Sequence, residues 1–358
     1  MATFTENVRR CIDQPAAGWR AEVVRVVDED GIALQREVAA NWNSRDADAL
    51  RPTLDVLAGY DAVVLQHEFG LFGGPDGESA LDLVDGLRSP LITVLHTALT
   101  DPSSNQRRII DTLADRSDQL VVLTEAARDR LVCVHRLPAS RVSVIPHGAT
   151  ANVAGQVRRT SASPTVLTWG LLGRGKGIEH GIRAVAHLAD RGLDVTYVVA
   201  GATHPKVRER DGDRYRDGLI ELAADLGVAD RVQFDDAYRD WDSLRDLVRG
   251  VDAVLLPYDS RDQVTSGVLV DALASAKPLV STRFPHAVEA LGGGSGLLVG
   301  HEDDEAMADA LEQVLLDPGT ARRLSSAAFE AAQPLLWPSV GDAYRAVLGS
   351  VARARIVA

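Results

Sequence analysis

At 358 residues the chain is long for a single hydrophobic core and comfortable for two domains. Its net charge is −13, and residues 1–150 alone hold 15 Arg against 22 Asp plus Glu. This acidity argues against nucleic acid as the main partner and leaves no polybasic anchor for an acidic membrane. No apolar run reaches the ~20 residues that span a bilayer and no signal peptide opens the chain, so a cytoplasmic protein is expected. Cys11 and Cys133 are too few for a disulfide framework or a metal site.

The chain opens on a helix whose cap and first turn are Thr5-Glu6-Asn7. A strand is predicted over 21–27, an amphipathic helix over 46–58 and a buried strand over 61–66 (DAVVLQ). That strand runs into His67-Glu68-Phe69-Gly70. A helix over 79–87 and a strand over 91–95 follow, the latter ending at His96-Thr97. Helices over 104–114 and 125–135 flank a strand at 119–123, and a strand over 142–145 ends at Pro146-His147-Gly148. Residues 150–164 (TANVAGQVRRTSASP) have no period and read as a linker.

Beyond the linker, strands are expected at 166–169, 195–200, 232–234, 253–256, 278–281 and 296–299. Helices are expected from 178, and over 215–226, 241–249, 266–276, 304–315, 321–332 and 339–353. Strands separated by helices throughout imply right-handed βαβ units and two doubly wound sheets. Ligands of such sheets sit at the carboxyl ends of the strands, where His67, His96, His147 and Arg174 to Lys176 fall.

The stretch TVLTWGLLGRGKGIEHGIRA, 165–184, carries the sharpest signal. An apolar strand ends in Gly170, Gly173, Gly175 and Gly177 with Arg174 and Lys176 between them, and a helix follows. Strand, glycine turn and helix aim free N–H groups and a positive helix end at an anion, and the two cations suit a diphosphate. The same turn also occurs where it only packs a helix on a sheet. A triphosphate P-loop requires Ser or Thr after the lysine, and Gly177 stands there. Lys176 is one of only three lysines, with Lys206 and Lys277.

With GLLGRGKGIEHGIRA, DQVTSGVLVDALASAKPLV, FPHAVEAL and QHEFG followed by VLHT in view, the chain resembles glycosyltransferase family 4 and its mannosyltransferase-like branch. The resemblance implies α/β domains of GT-B architecture, two doubly wound Rossmann-like domains facing across a cleft. Residues 1–150 would form the acceptor-side domain and 151–336 the nucleotide-sugar-binding domain. Residues 337–358 would be a helix crossing back to the first domain. The implied reaction is retaining transfer of a hexose, mannose favoured, from a nucleotide diphosphate sugar such as GDP-mannose. The acceptor hydroxyl would belong to a saccharide or a lipid-linked molecule. No cofactor and no metal are expected, and membrane contact would be peripheral at most.

Carried over by position, Arg174 and Lys176 would grip the donor diphosphate beside Gly173 and Gly175, and His96 would bond the donor sugar. The family's paired glutamates fall on Gln263, for the sugar hydroxyls, and Asp271, for the ribose. Ser266 and Gly267 would offer N–H groups to a phosphate, and His67 with Glu68 would face the acceptor. Two departures stand out. Gln263 brings an amide where the family has a carboxylate, and Ala2-Thr3-Phe4-Thr5 follows Met1 directly where the family has a strand and glycine loop first. A form extended upstream is accordingly expected to be more stable and more active. Two other readings stay open: a nucleotide-sugar-binding protein without turnover, and a sugar-nucleotide epimerase on the same fold.

Overall fold

The computed structural model describes every residue except 30, 154–162, 204, 238, 357 and 358, so most of the expected linker lies outside the described residues. The chain divides into two compact units, Met1–Gly148 with Trp337–Ala358, and Ala149–Leu336.

The first unit opens with α1 (Ala2–Ile12), whose Phe4, Val8 and Ile12 repeat every four residues and are buried as one stripe. There follow β1 (Val23–Val27), β2 (Val38–Asn43), α2 (Leu50–Leu57), β3 (Val63–His67), α3 (Ser79–Gly86) and β4 (Leu91–Leu95). Next come α4 (Ser104–Arg116), β5 (Gln119–Val122), α5 (Glu125–His135) and β6 (Val142–Val144). β4 is buried at all five residues, as an apolar parallel strand covered on both faces should be. Side chains set the helix starts: Ser103 and Gln106 close a capping box on α4, and Thr124 caps α5.

The parallel order β3-β4-β5-β6 forms one sheet, and β1 with β2 forms a second parallel pair. The single sheet expected here is therefore two, with β1 paired only to β2 and β3 only to β4 among the described residues. β2 escapes sequence reading because VAANWN holds one large apolar residue between asparagines.

The second unit comprises β7 (Thr165–Trp169), α6 (Ile178–Asp190), β8 (Thr196–Ala200), α7 (Pro205–Asp211), α8 (Arg214–Asp225) and β9 (Val232–Asp235). It continues with α9 (Trp241–Gly250), β10 (Ala253–Leu256), α10 (Gly267–Ala274), β11 (Leu279–Thr282) and α11 (Pro285–Leu291). β12 (Leu297–Val299), α12 (Asp304–Leu316) and α13 (Pro318–Ala332) complete it. Its six strands form one parallel sheet, β12-β11-β10-β7-β8-β9. Alternation along β7 sends Val166 into the core on one face and Leu167 and Trp169 into the core on the other. The order reverses between β7 and β10, so the loops after these two strands border the switch-point crevice where doubly wound sheets bind ligands.

The last helix, α14 (Trp337–Ile356), groups with the first unit. Its Trp337, Val340, Tyr344, Leu348 and Val351 share a core with Phe4, Val8 and Ile12 of α1.

Candidate functional site

In the second unit the glycine loop leaves β7 at Trp169 and enters α6 at Ile178. Two of its contacts require glycine. A Cβ at Gly177, where φ is 60°, would stand 1.9 Å from the Pro257 carbonyl oxygen. A Cβ at Gly201, φ 143°, would stand 2.0 Å from the Gly170 oxygen. The carboxyl ends of β7, β8 and β10 are thus pressed backbone to backbone. The Lys176 N–H closes a turn on the Gly173 oxygen at 3.2 Å. Gly177 caps α6 without a side chain, so no side-chain oxygen competes for the first N–H groups of that helix.

Arg174 is exposed, whereas Lys176 is half-buried with its Nζ 4.1 Å above the centre of the Tyr258 ring. Burial lowers the Lys176 pKa, because desolvation disfavours the charged form. Tyr258 is itself stacked on Phe284 at 5.1 Å, so the aromatic support of the lysine is fixed.

The loop after β10 leads through Gln263 to α10. Ser266 caps this helix by accepting from the Leu269 N–H at 3.3 Å. Its own N–H donates to His286 Nδ1 at 2.8 Å. This corrects the expected role of Ser266 as an amide donor to phosphate: His286 already occupies that amide. The Gly267 N–H meets no acceptor among the described residues and keeps the expected direction along the helix axis. The Gln263 amide donates one of its two N–H groups to the Thr265 oxygen of its own loop at 3.0 Å.

One helical turn beyond Gly267, Asp271 borders a small pocket of about 10 Å³, room for one water, together with Trp169, Trp241, Asn152 and Arg245. The carboxylate is half-buried, and burial pushes its pKa up to about 8.

In the first unit, His96 stands just past β4 and its Nε2 pairs with Gln66 Oε1 at 2.8 Å. Phe4 meets the ring edge-on at 4.8 Å. Burial, and then the nearby His147 and chain amino group, push the His96 pKa down to about 3, so the ring is neutral. His147 donates from Nδ1 to the Gly148 oxygen at 2.9 Å and is also pushed down, to about 4, chiefly by burial. Glu68 accepts from the Thr97 hydroxyl at 2.6 Å and from the Phe69 N–H at 3.1 Å.

His67 departs from expectation. It is 1% exposed, parallel to Phe72 at 6.0 Å and edge-on to Phe69 at 5.2 Å. The alternation that turns Gln66 toward His96 turns His67 the other way, into the core, so it presents no face to an acceptor. Among the described residues no cluster of His, Cys, Asp and Glu could hold a metal ion, and no helix is long and apolar enough to cross a membrane.

Residues 154–331 match the family model described as glycosyl transferases group 1. The D-inositol 3-phosphate glycosyltransferase of Corynebacterium diphtheriae is 31% identical, the alignment covering 93% of this chain and 83% of that protein. The chain belongs to the group 1 glycosyltransferases. The protein of the same name from Actinosynnema mirum is 29% identical over 73% of this chain and 66% of its own length. A crystal structure of a glycosyltransferase from Rickettsia africae superposes with a TM-score of 0.77 at 14% identity, covering 98% of this chain and 94% of that one. The fold is accordingly of the GT-B class, α/β with parallel Rossmann-like units.

Within this glycosyltransferase, Gly173, Arg174, Gly175, Lys176, Gln263, Ser266, Gly267 and Asp271 all lie on loops or helix starts after β7 and β10. His67, Glu68 and His96 lie at the ends of β3 and β4 in the other unit. Sequence reading missed Gln66 and Thr97, which engage His96 and Glu68. Only pairing across strands reveals them.

Proposed function

We propose that this glycosyltransferase moves a hexose, mannose favoured by the resemblance, from a nucleoside diphosphate sugar to an acceptor hydroxyl with retained anomeric configuration. The second unit would bind the donor and the first would serve the acceptor. The observation that carries the reading is the crevice at the strand-order reversal. There an uncapped α6, Arg174 and Lys176 border one side and the free Gly267 N–H and Asp271 the other.

In the reaction the bond from C1 to the β-phosphate oxygen breaks, the diphosphate leaves with added negative charge, and the acceptor oxygen bonds to C1 as its proton passes to the departing phosphate oxygen. Arg174, Lys176 and the helix N–H groups stand where that charge develops, and fixed groups of this kind contribute about 10²–10³ in rate each. Asp271 would take the ribose hydroxyls. Gln263 Oε1 would accept from a sugar hydroxyl without adding charge. His96, neutral and held at Nε2 by Gln66, would offer Nδ1 as an acceptor. The names of the relatives support trying D-inositol 3-phosphate before saccharide and lipid-linked alcohols as acceptor.

A second reading, donor binding without transfer, draws on the Gln263 amide being tied to its own loop. Incubating the protein with GDP-mannose, UDP-glucose or ADP-glucose and each acceptor class separates the two. Nucleotide release matched by a glycosylated product supports transfer, with the anomeric configuration read by NMR. Tight donor binding with neither release nor product supports the second reading, and no donor binding overturns both.

A further inference from the structure

Two half-buried lysines of the second unit meet burial in opposite ways. Lys277 donates from Nζ to the Arg249 oxygen at 2.7 Å and to the Val251 oxygen at 2.8 Å, which commits two of its three hydrogens to the protein. Lys176 has no such partner among the described residues, and the Tyr258 ring lies against its Nζ instead. The titratable groups on the adjoining segments leave it unpaired. Arg174 shares its loop, and Asp259 and Arg261 follow β10. Glu302, after β12, pairs with Arg261 at 3.6 Å, and His180 at the start of α6 pairs with Asp304 at 2.7 Å. His301 is turned to Tyr258 itself: the Tyr258 oxygen accepts from His301 Nδ1 at 3.0 Å and from the Thr282 hydroxyl at 2.5 Å. With the ring stacked on Phe284, segments after β11 and β12 fix an aromatic face that stands after β10. Burial pushes the Tyr258 phenol up to about 12, so the ring is neutral and meets the ammonium with its π-face.

A carboxylate in that place would also hold the ammonium, but a donor phosphate would then have to displace it. A π-face attracts the cation and leaves the N–H groups turned away from the ring open to an incoming acceptor. It also opposes the desolvation that disfavours the charged lysine. We infer that Tyr258 is the positioning residue of Lys176, a neutral platform that sets the ammonium toward the donor diphosphate. The inference rests on Lys176 being a ligand of that diphosphate. Tyr258 acts through the lysine and needs no contact with the donor.

The chain has only three lysines, so isotope-labelled lysine gives an NMR spectrum in which Lys176→Arg identifies the Lys176 signals. In the unaltered full chain the Lys176 side-chain protons are expected upfield of their position in the urea-unfolded chain, displaced by the ring current. Tyr258→Phe should keep both that displacement and the affinity for pyrophosphate and UDP. Tyr258→Leu should lose the displacement, lower the pH at which Lys176 titrates by about one pH unit, and weaken pyrophosphate and UDP by about 5- to 30-fold. If the ring acts through the lysine, Tyr258→Leu combined with Lys176→Ala binds as Lys176→Ala does alone. Lys176 protons without the upfield displacement in the unaltered chain, a measurement that needs no change at Tyr258, overturn the platform while the donor reading stands. So does a Tyr258→Leu protein with unchanged titration and affinity, or one that weakens pyrophosphate equally with and without the lysine. If pyrophosphate, UDP and GDP all leave the Lys176 signals unmoved, the donor reading falls and the platform with it.

Discussion

The two units solve the same packing problem differently. The second has six strands in one parallel sheet, with β10 and β11 buried at every residue. The first divides its strands into a pair and a group of four, and β1 and β2 are buried at only one position each. A continuous sheet holds each inner strand by ladders on both sides, so the loops leaving its middle are fixed to the core. The glycine loop after β7 and the Pro257 turn after β10 are of this kind. β1 and β3 each have one side without a ladder. The core around α1 holds them instead, through Ala21, Ala62 and Val64 against Phe4 and Val8, as does the Tyr60 hydroxyl bonded to Glu22. Rigidity is therefore concentrated where the proposed diphosphate site lies.

The sharpest way to break this comparison is native-state hydrogen exchange. Amides of β10 and its neighbours β7 and β11 should exchange only through global opening, with protection of about 10³ or more. Amides on the unladdered sides of β1 and β3 should exchange near the rate of an open chain. Protection of those edges equal to that of β10 would show that another contact covers them, and the contrast between the units would fail.

A smaller effect is expected at the rim that the rigid sheet supports. Lys176→Ala and Arg174→Ala should each lower turnover by about 10² or more. The melting temperature should change little for exposed Arg174, and modestly for Lys176, which gives up its contact with the Tyr258 ring. If the second unit is the donor scaffold, Glu68→Gln in the first should instead leave nucleoside diphosphate affinity unchanged. Wild-type turnover in both cation variants would remove the glycine loop from the mechanism.

The contrast also marks what the sequence makes legible. The second unit could be read nearly strand by strand, because buried parallel strands such as LTW and AVLL are short apolar runs bounded by glycine or proline. Arg174 and Lys176 drew attention for the same reason, since they follow such a run, whereas Asp271 entered only through the family resemblance. The first unit was less legible. β2 lacks an apolar run, and the division into two sheets is a property of pairing that no local pattern records. His67 and Glu68 are adjacent in sequence, yet one points into the core and the other to Thr97. The Ser266 amide was lost to His286, twenty residues away. Such contacts belong to tertiary packing, and single-chain periodicity carries no trace of them.

The smallest effect sharpens the comparison at one side chain. Burial in the second unit pushes the Asp271 pKa from 3.8 up to about 8, so near neutral pH the empty site holds mostly the protonated acid. Two ribose hydroxyls are donors and are best accepted by the ionised form. Nucleotide affinity should therefore rise with pH, by about tenfold between about pH 7 and pH 9, as ionisation ceases to oppose binding. Asp271→Asn should bind more weakly at about pH 9 and lack that rise, so the ratio of the two affinities isolates this group from the diphosphate and Lys176, which titrate in both proteins. The stability of the unliganded protein has the opposite slope. A carboxyl whose folded pKa is raised contributes stability fully below its unfolded pKa, and that contribution is lost as pH climbs from about 4 to about 8. The melting temperature of the unaltered protein should thus fall relative to Asp271→Asn over that window and run parallel to it above. A nucleotide affinity ratio that stays flat across pH 7 to 9 would mean that Asp271 does not meet the ribose.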